Sequence, residues 1–142
     1  MKIKIVESWF NEETGVSKVI INTDRGIFCG TAQLHEEDRD IASNFAGCEY
    51  AEMRAIVKYF KRRAKDIQIK ITGLQNYEKR LLGRKDYQKH SVENRQLRKY
   101  MKQLEQEKID WEERASSLEN KIQIAMKNRE KMVREMTKKS EE

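Results

Sequence analysis

Arg80, Arg84, Lys85, Arg95, Arg98 and Lys99 are interleaved with Tyr77, Tyr87, His90, Asn94 and Tyr100 in one segment, YEKRLLGRKDYQKHSVENRQLRKY, residues 77–100. Guanidinium forks grip phosphates in a bidentate manner and stack on bases, aromatic rings sandwich purines, and amides read base or ribose edges. On a helix, residues three or four apart share a face, which groups Arg95 with Arg98 and Asn94 with Arg98. The same residues also describe a hairpin tip solvated by arginine, with tyrosines covering the turn. Pattern alone leaves both readings open.

A second crowded stretch is DRGIFCGTAQLHEEDRD, residues 24–40, where turn residues, a thiol, a histidine, arginines and acids stand together. Its HEED run offers His35 and three acids, but four consecutive loop residues rarely converge on one metal ion. The acids read as solvating a connection into a helix, with Asp38 or Ser43 as its cap. No nucleophile motif, P-loop, dinucleotide-binding glycine pattern or HExxH zinc motif occurs, and the two histidines, His35 and His90, fall in different elements. Glu7, Glu12 and Glu13 supply carboxylates without a matched acid partner. The expectation is therefore a protein that is not an enzyme, with no catalytic residues, no metal and no cofactor.

The elements that must position these groups are of two kinds. Through residue 47 the chain has strand chemistry: KIKIVESWFN, VSKVIINT and GIFCGTA are short apolar runs separated by NEETG and TDRG turns. An antiparallel meander of three or four strands follows, with Gly26 at a positive-φ turn and Gly30 at a bulge or a close backbone approach. Trp9 and Phe10 are adjacent on a strand and cannot both point to one face of a single sheet. One of them is left to stack on a ligand, or to pack on the helices or a neighbouring subunit. Cys29 and Cys48 have no CxxC spacing and read as small buried thiols in a reducing compartment.

From about Cys48 the period changes. Tyr50, Met53, Val57, Phe60, Ala64, Ile67, Ile71, Leu74 and Leu81 fall on steps of three and four, broken only at Glu78, which predicts a long amphipathic helix. Gly83 is placed to end it and Asp86 to cap the next. The second seam runs Leu97, Met101, Leu104, Lys108, Trp111, Ala115, Leu118, Ile122, Ala125, Arg129, Met132 and Met136, a heptad pattern that admits two charged residues. Lys108 and Arg129 either set register or line an anion's entry. With no proline anywhere, nothing interrupts either helix. Fifty residues at about 1.5 Å each make a rod of roughly 75 Å. A head of 47 residues cannot cover it, so Leu118, Ile122, Met132 and Met136 are expected to be buried by another chain.

The fold class expected is α+β: a small N-terminal antiparallel sheet in residues 1–47, then a helical hairpin in residues 48–142, oligomerising through coiled-coil-like seams. Charged residues make up 38% and hydrophobic ones 37%, a balance suited to solvated helices rather than a large core. The net charge of +6 is uneven, with −3 in residues 1–47, +5 in 48–83 and +4 in 84–142. The helical part therefore favours a phosphate-bearing partner or is a lysine-rich solvated face. No transmembrane-length apolar run or signal segment occurs, so no membrane partner is expected. A structural or nucleic-acid-associated coiled coil is the competing reading.

With a compact N-terminal sheet carrying ESWFN and TDRGIFCGTAQLHEEDRD, then AEMRAIVKYFKRR and two long helices, the chain resembles the phage-encoded Thoeris anti-defence sponge proteins over nearly its whole length. The resemblance implies a non-enzymatic homo-oligomer, a dimer at least and up to a hexamer. It would act in the host bacterial cytoplasm and enclose glycocyclic ADP-ribose made by TIR-domain immune proteins. It implies no nucleic-acid partner. Some members also bind cyclic di- or trinucleotides of CBASS defence at a second site. Carried onto this sequence, the base-stacking role falls to Trp9 or Phe10, the diphosphate to Arg95 and Arg98, and amide reading to Asn76 or Asn94. Arg25, Gly26, Thr31, Gln33 and His35 are the candidates for the second nucleotide site.

Overall fold

The computed structural model describes residues 3–11, 13–33, 41–83 and 92–141. Three strands and two helices follow one another: β1 (Lys4–Asn11), β2 (Val16–Thr23), β3 (Gly26–Gln33), α1 (Ile41–Leu82) and α2 (Val92–Glu141). This is the α+β order expected, with three strands in the meander. Helix α1 begins at Ile41, seven residues before the change of period at Cys48. Ser43 is accordingly inside the helix and does not cap it, while Asp38 and Asp86 lie outside the described residues.

The sheet order is β1-β2-β3, all antiparallel. Side-chain chemistry makes both turns. Between β1 and β2 the Asn11 carboxamide oxygen accepts the backbone N–H of Glu13 at 2.9 Å and of Thr14 at 3.3 Å, and Gly15 follows at φ 72°. Between β2 and β3 the Thr23 hydroxyl donates to the Gly26 carbonyl at 2.8 Å and accepts the Arg25 N–H at 3.1 Å, with Gly26 at φ 110°. A bulge interrupts the β1–β2 register between Ile5 and Glu7.

The chain divides into two compact units. The first holds Met1–Tyr59 and Arg114–Glu142. Burial alternates along β2, so Ser17, Val19 and Ile21 face the interior while Lys18 and Ile20 face outward. The core joins Val19, Ile21 and Ala32 of the sheet to Tyr50, Ala51 and Ala55 of α1, with Ala125 and Met126 of α2 packed against it. Gly30 lies against the backbone of Ala51 and Ala55, so the close approach expected there is present and the bulge is on β1 instead. Tyr59, 1% exposed, places its ring edge-on to Phe28 at 6.0 Å and donates its hydroxyl to Asp24 in the turn.

This packing corrects the expectation for the second seam. Ile122 is 4% exposed within the single chain, and Leu118 is half-buried. The expectation left the sheet out as a partner for α2; Ala125 and Met126 of α2 pack against a core of Val19, Ile21 and Ala32 of the sheet and Tyr50, Ala51 and Ala55 of α1. Met132 remains exposed, and the Met136 side chain lies outside the described residues.

The second unit is Phe60–Glu113. Phe60–Trp111, Gln68–Lys108 and Glu78–Arg98 contacts run in opposite order along α1 and α2, so the two segments are antiparallel. Phe60, Ala64, Ile67 and Ile71 are buried with Leu104 and Trp111, as the two seams predict. The Trp111 ring sits 5.6 Å from Phe60 and under the Arg63 guanidinium at 4.8 Å, a cation–π contact that closes over the indole. Lys108, one of the two charged seam positions, donates to Gln68 at 2.7 Å and lies 3.5 Å from Glu112. Its ammonium is satisfied inside the helix pair.

Candidate functional site

The end of the second unit carries the arginines, tyrosines and amides of residues 76–80 and 94–100. Arg98 meets Glu78 at 3.4 Å, so the 76–80 turn of α1 lies beside the 95–99 turn of α2. Around this ion pair Asn76, Tyr77, Arg80, Arg95 and Lys99 are exposed, as is Tyr100 one residue further along α2. The Glu78 side chain is 15% exposed and that of Arg98 49%, so the acid is the inner member and the guanidinium the outer one. An exposed pair of this kind contributes little to stability. It does orient a fork that still has donors to offer an anion.

Glu78 is thereby explained. In the sequence it only broke an apolar series; in the structure it is the anchor for Arg98. Gly83 closes α1 by donating its N–H to the Lys79 carbonyl at 3.2 Å. Arg84, Lys85, Tyr87 and His90, the remainder of the basic segment, lie outside the described residues.

Asn94, the other amide candidate, is turned inward. It is 2% exposed and buried in the helix pair, because its position in the first turn of α2 falls on the inward side. Asn76 is the exposed amide of the two.

The other candidates stand in the first unit. Trp9 is 42% exposed and Phe10 half-buried, and their register explains the difference. Trp9 is opposite Lys18 on the outward face, whereas Phe10 is opposite Ser17 on the face toward the core. Lys18 in turn is opposite Thr31, so Trp9, Lys18 and Thr31 form one row across all three strands. Gln33 belongs to the next row of the same face, opposite Val16. Two candidates assigned by resemblance to different sites, Trp9 and Thr31, thus share a sheet face, with Lys18 between them. Lys18 was not singled out by its own surroundings in the sequence; counting the β1–β2 hairpin register from the Asn11 turn would have found it.

Arg25 and Gly26 are exposed at the β2–β3 turn, where Arg25 lies 3.9 Å from Asp24, and His35 with the rest of HEED lies outside the described residues. Cys29 and Cys48 form no disulfide and are half-buried, the latter with its sulfur 4.0 Å from the Trp9 carbonyl. No described helix is long and apolar enough to cross a membrane. No protein-family model, curated protein or solved structure matches this chain.

Proposed function

We propose that this chain is a sponge for cyclic nucleotide immune signals: it binds glycocyclic ADP-ribose in the bacterial host and holds it without breaking a bond. The reading rests on the resemblance to the Thoeris anti-defence sponges. The observation that supports it is the Glu78–Arg98 pair, which gathers exposed arginines, tyrosines and Asn76 at one end of the helix pair. Arg95 and Arg98 then take the diphosphate oxygens in charge-assisted hydrogen bonds, an aromatic ring stacks on the base, and Asn76 reads an edge. Sequestration of this kind works by mass action, so no nucleophile or general base has to be assigned. The outward row Trp9–Lys18–Thr31 offers stacking and a cation to a second phosphorylated guest, such as a cyclic di- or trinucleotide.

The test is calorimetry with glycocyclic ADP-ribose on the native chain and on the Arg95→Ala, Arg98→Ala double variant, followed by recovery of the ligand after heat denaturation. Saturable binding by the native chain, loss of it in the variant and return of intact ligand support the proposal. Unchanged affinity in the variant rejects the site, and a cleaved ligand rejects the mechanism. Binding of duplex or single-stranded nucleic acid that falls steeply with salt, without cyclic-nucleotide binding, would favour the competing coiled-coil reading.

A further inference from the structure

The two edges of the sheet are finished differently. Along β3, Arg54 and Lys58 of α1 donate to the Thr31 carbonyl at 2.8 Å and the Cys29 carbonyl at 2.6 Å, so the helix takes up acceptors of that edge strand. Along β1, no strand among the described residues pairs with the outer side, and every residue from Lys4 to Trp9 is exposed. Among these are Ile5 at 53%, Val6 at 59% and Trp9 at 42%. An edge that presents unpaired backbone groups together with large apolar side chains is a template for another strand.

The bulge decides which strand suits it. In a regular strand, residues three apart lie on opposite faces. Here the extra residue between Ile5 and Glu7 shifts the register, so that Lys4 pairs with Asn22 and Glu7 with Ile20, both outward positions of β2. Lys4 and Glu7 therefore share the outward face, and β1 carries one charge of each sign along a single line. Such a strand is complementary to itself when turned around. Side by side in the same direction, two copies would set lysine next to lysine.

We propose that β1 pairs antiparallel with β1 of a second copy of this chain, about a two-fold axis between Ile5 and Val6. Lys4 then opposes Glu7 of the second copy, the reciprocal pair forms by symmetry, and the two three-stranded sheets join into one of six. Ile5 and Val6 cover their counterparts at the axis. This assigns self-association to the sheet edge and not to the α2 seam, whose Ile122 is already buried. It stands apart from the nucleotide reading, because it concerns the chain without ligand.

Sedimentation equilibrium of the ligand-free full chain over a micromolar dilution series tests the pairing. Wild type should dimerise. Lys4→Glu and Glu7→Lys, each at an exposed position, should weaken dimerisation by about tenfold or more, which corresponds to roughly 1.4 kcal/mol per tenfold. The Lys4→Glu, Glu7→Lys double variant should recover the wild-type constant, because the same pairs form with signs exchanged. Circular dichroism checks that each variant is folded. A wild-type monomer throughout the series would mean that the bulge and Lys4 guard the edge rather than recruit a strand, and would overturn the proposal. So would a dimer indifferent to the single charge reversals, or a double variant no better than the singles. None of these results bears on cyclic-nucleotide binding, which calorimetry reads separately.

Discussion

Gly30 of β3 sits so close to Ala51 of α1 that a Cβ added to it would come within 1.8 Å of the Ala51 carbonyl oxygen, and within 2.6 Å of the Ala55 nitrogen. Both obstacles are backbone, so neither can rotate away. Glycine at this position sets how near α1 lies to the sheet, and with it the reach of Arg54 and Lys58 to the β3 carbonyls.

Three glycines should accordingly answer differently to alanine. Gly30→Ala is expected to cost about 3 kcal/mol or more, since overpacking here displaces a helix. Gly26→Ala meets nothing within 4 Å but inherits φ 110°, a conformation that costs a side chain roughly 1–2 kcal/mol. Gly73→Ala, on an open part of α1, should stabilise by roughly 0.5–1 kcal/mol through helix propensity. Chemical denaturation of the three variants gives the order directly, and a Gly30→Ala protein as stable as wild type would contradict the packing described.

The Lys108–Gln68 pair should behave as a specificity device more than as a stabilising one. Gln68→Ala leaves a part-buried ammonium with a poorer partner and should cost about 1–2 kcal/mol. Lys108→Leu completes the apolar seam and should leave the denaturation midpoint unchanged or raised, while sedimentation shows additional oligomers because nothing then fixes register. A large loss of stability in Lys108→Leu would mean that the Lys108–Gln68 hydrogen bond itself holds the helices.

Glu78 competes with any anion for Arg98. If the hairpin end takes a diphosphate, Glu78→Gln removes the competing charge, and the dissociation constant for glycocyclic ADP-ribose should fall severalfold, most clearly at low salt. Calorimetry at two ionic strengths measures it. A weaker complex in Glu78→Gln would show that the acid serves to position the guanidinium instead.

Much of the fold could be read from residue order. The steps of three and four named Phe60, Ala64, Ile67 and Ile71 of α1, and Leu104, Trp111 and Ala115 of α2, as buried, but not Ala51, Ala55 and Tyr59, which belong to the face that α1 turns to the sheet. Asn11, Thr23 and Gly26 announced the turns because their side chains, or the absence of one, act within three residues. The candidate site at the end of the helix pair was legible as composition only. That Asn94 turns inward, that Glu78 holds Arg98 and that Lys18 stands between Trp9 and Thr31 depend on which element lies opposite.

Residue order alone carried the succession of the elements, the seam by which Phe60–Ile71 of α1 meets Leu104 and Trp111 of α2, and the sign of the charge on the helices, because periodicity, turn chemistry and charge are local properties of the chain. Only the tertiary structure decided that Ile122 is covered by its own chain, that α1 side chains cap the β3 edge while no described strand pairs with the outer side of β1, and that one bulged residue sets Lys4 and Glu7 on the same face. These are contacts between segments distant in sequence, where the position of the partner, and not the residue's own character, settles whether a group is buried, paired or offered to solvent.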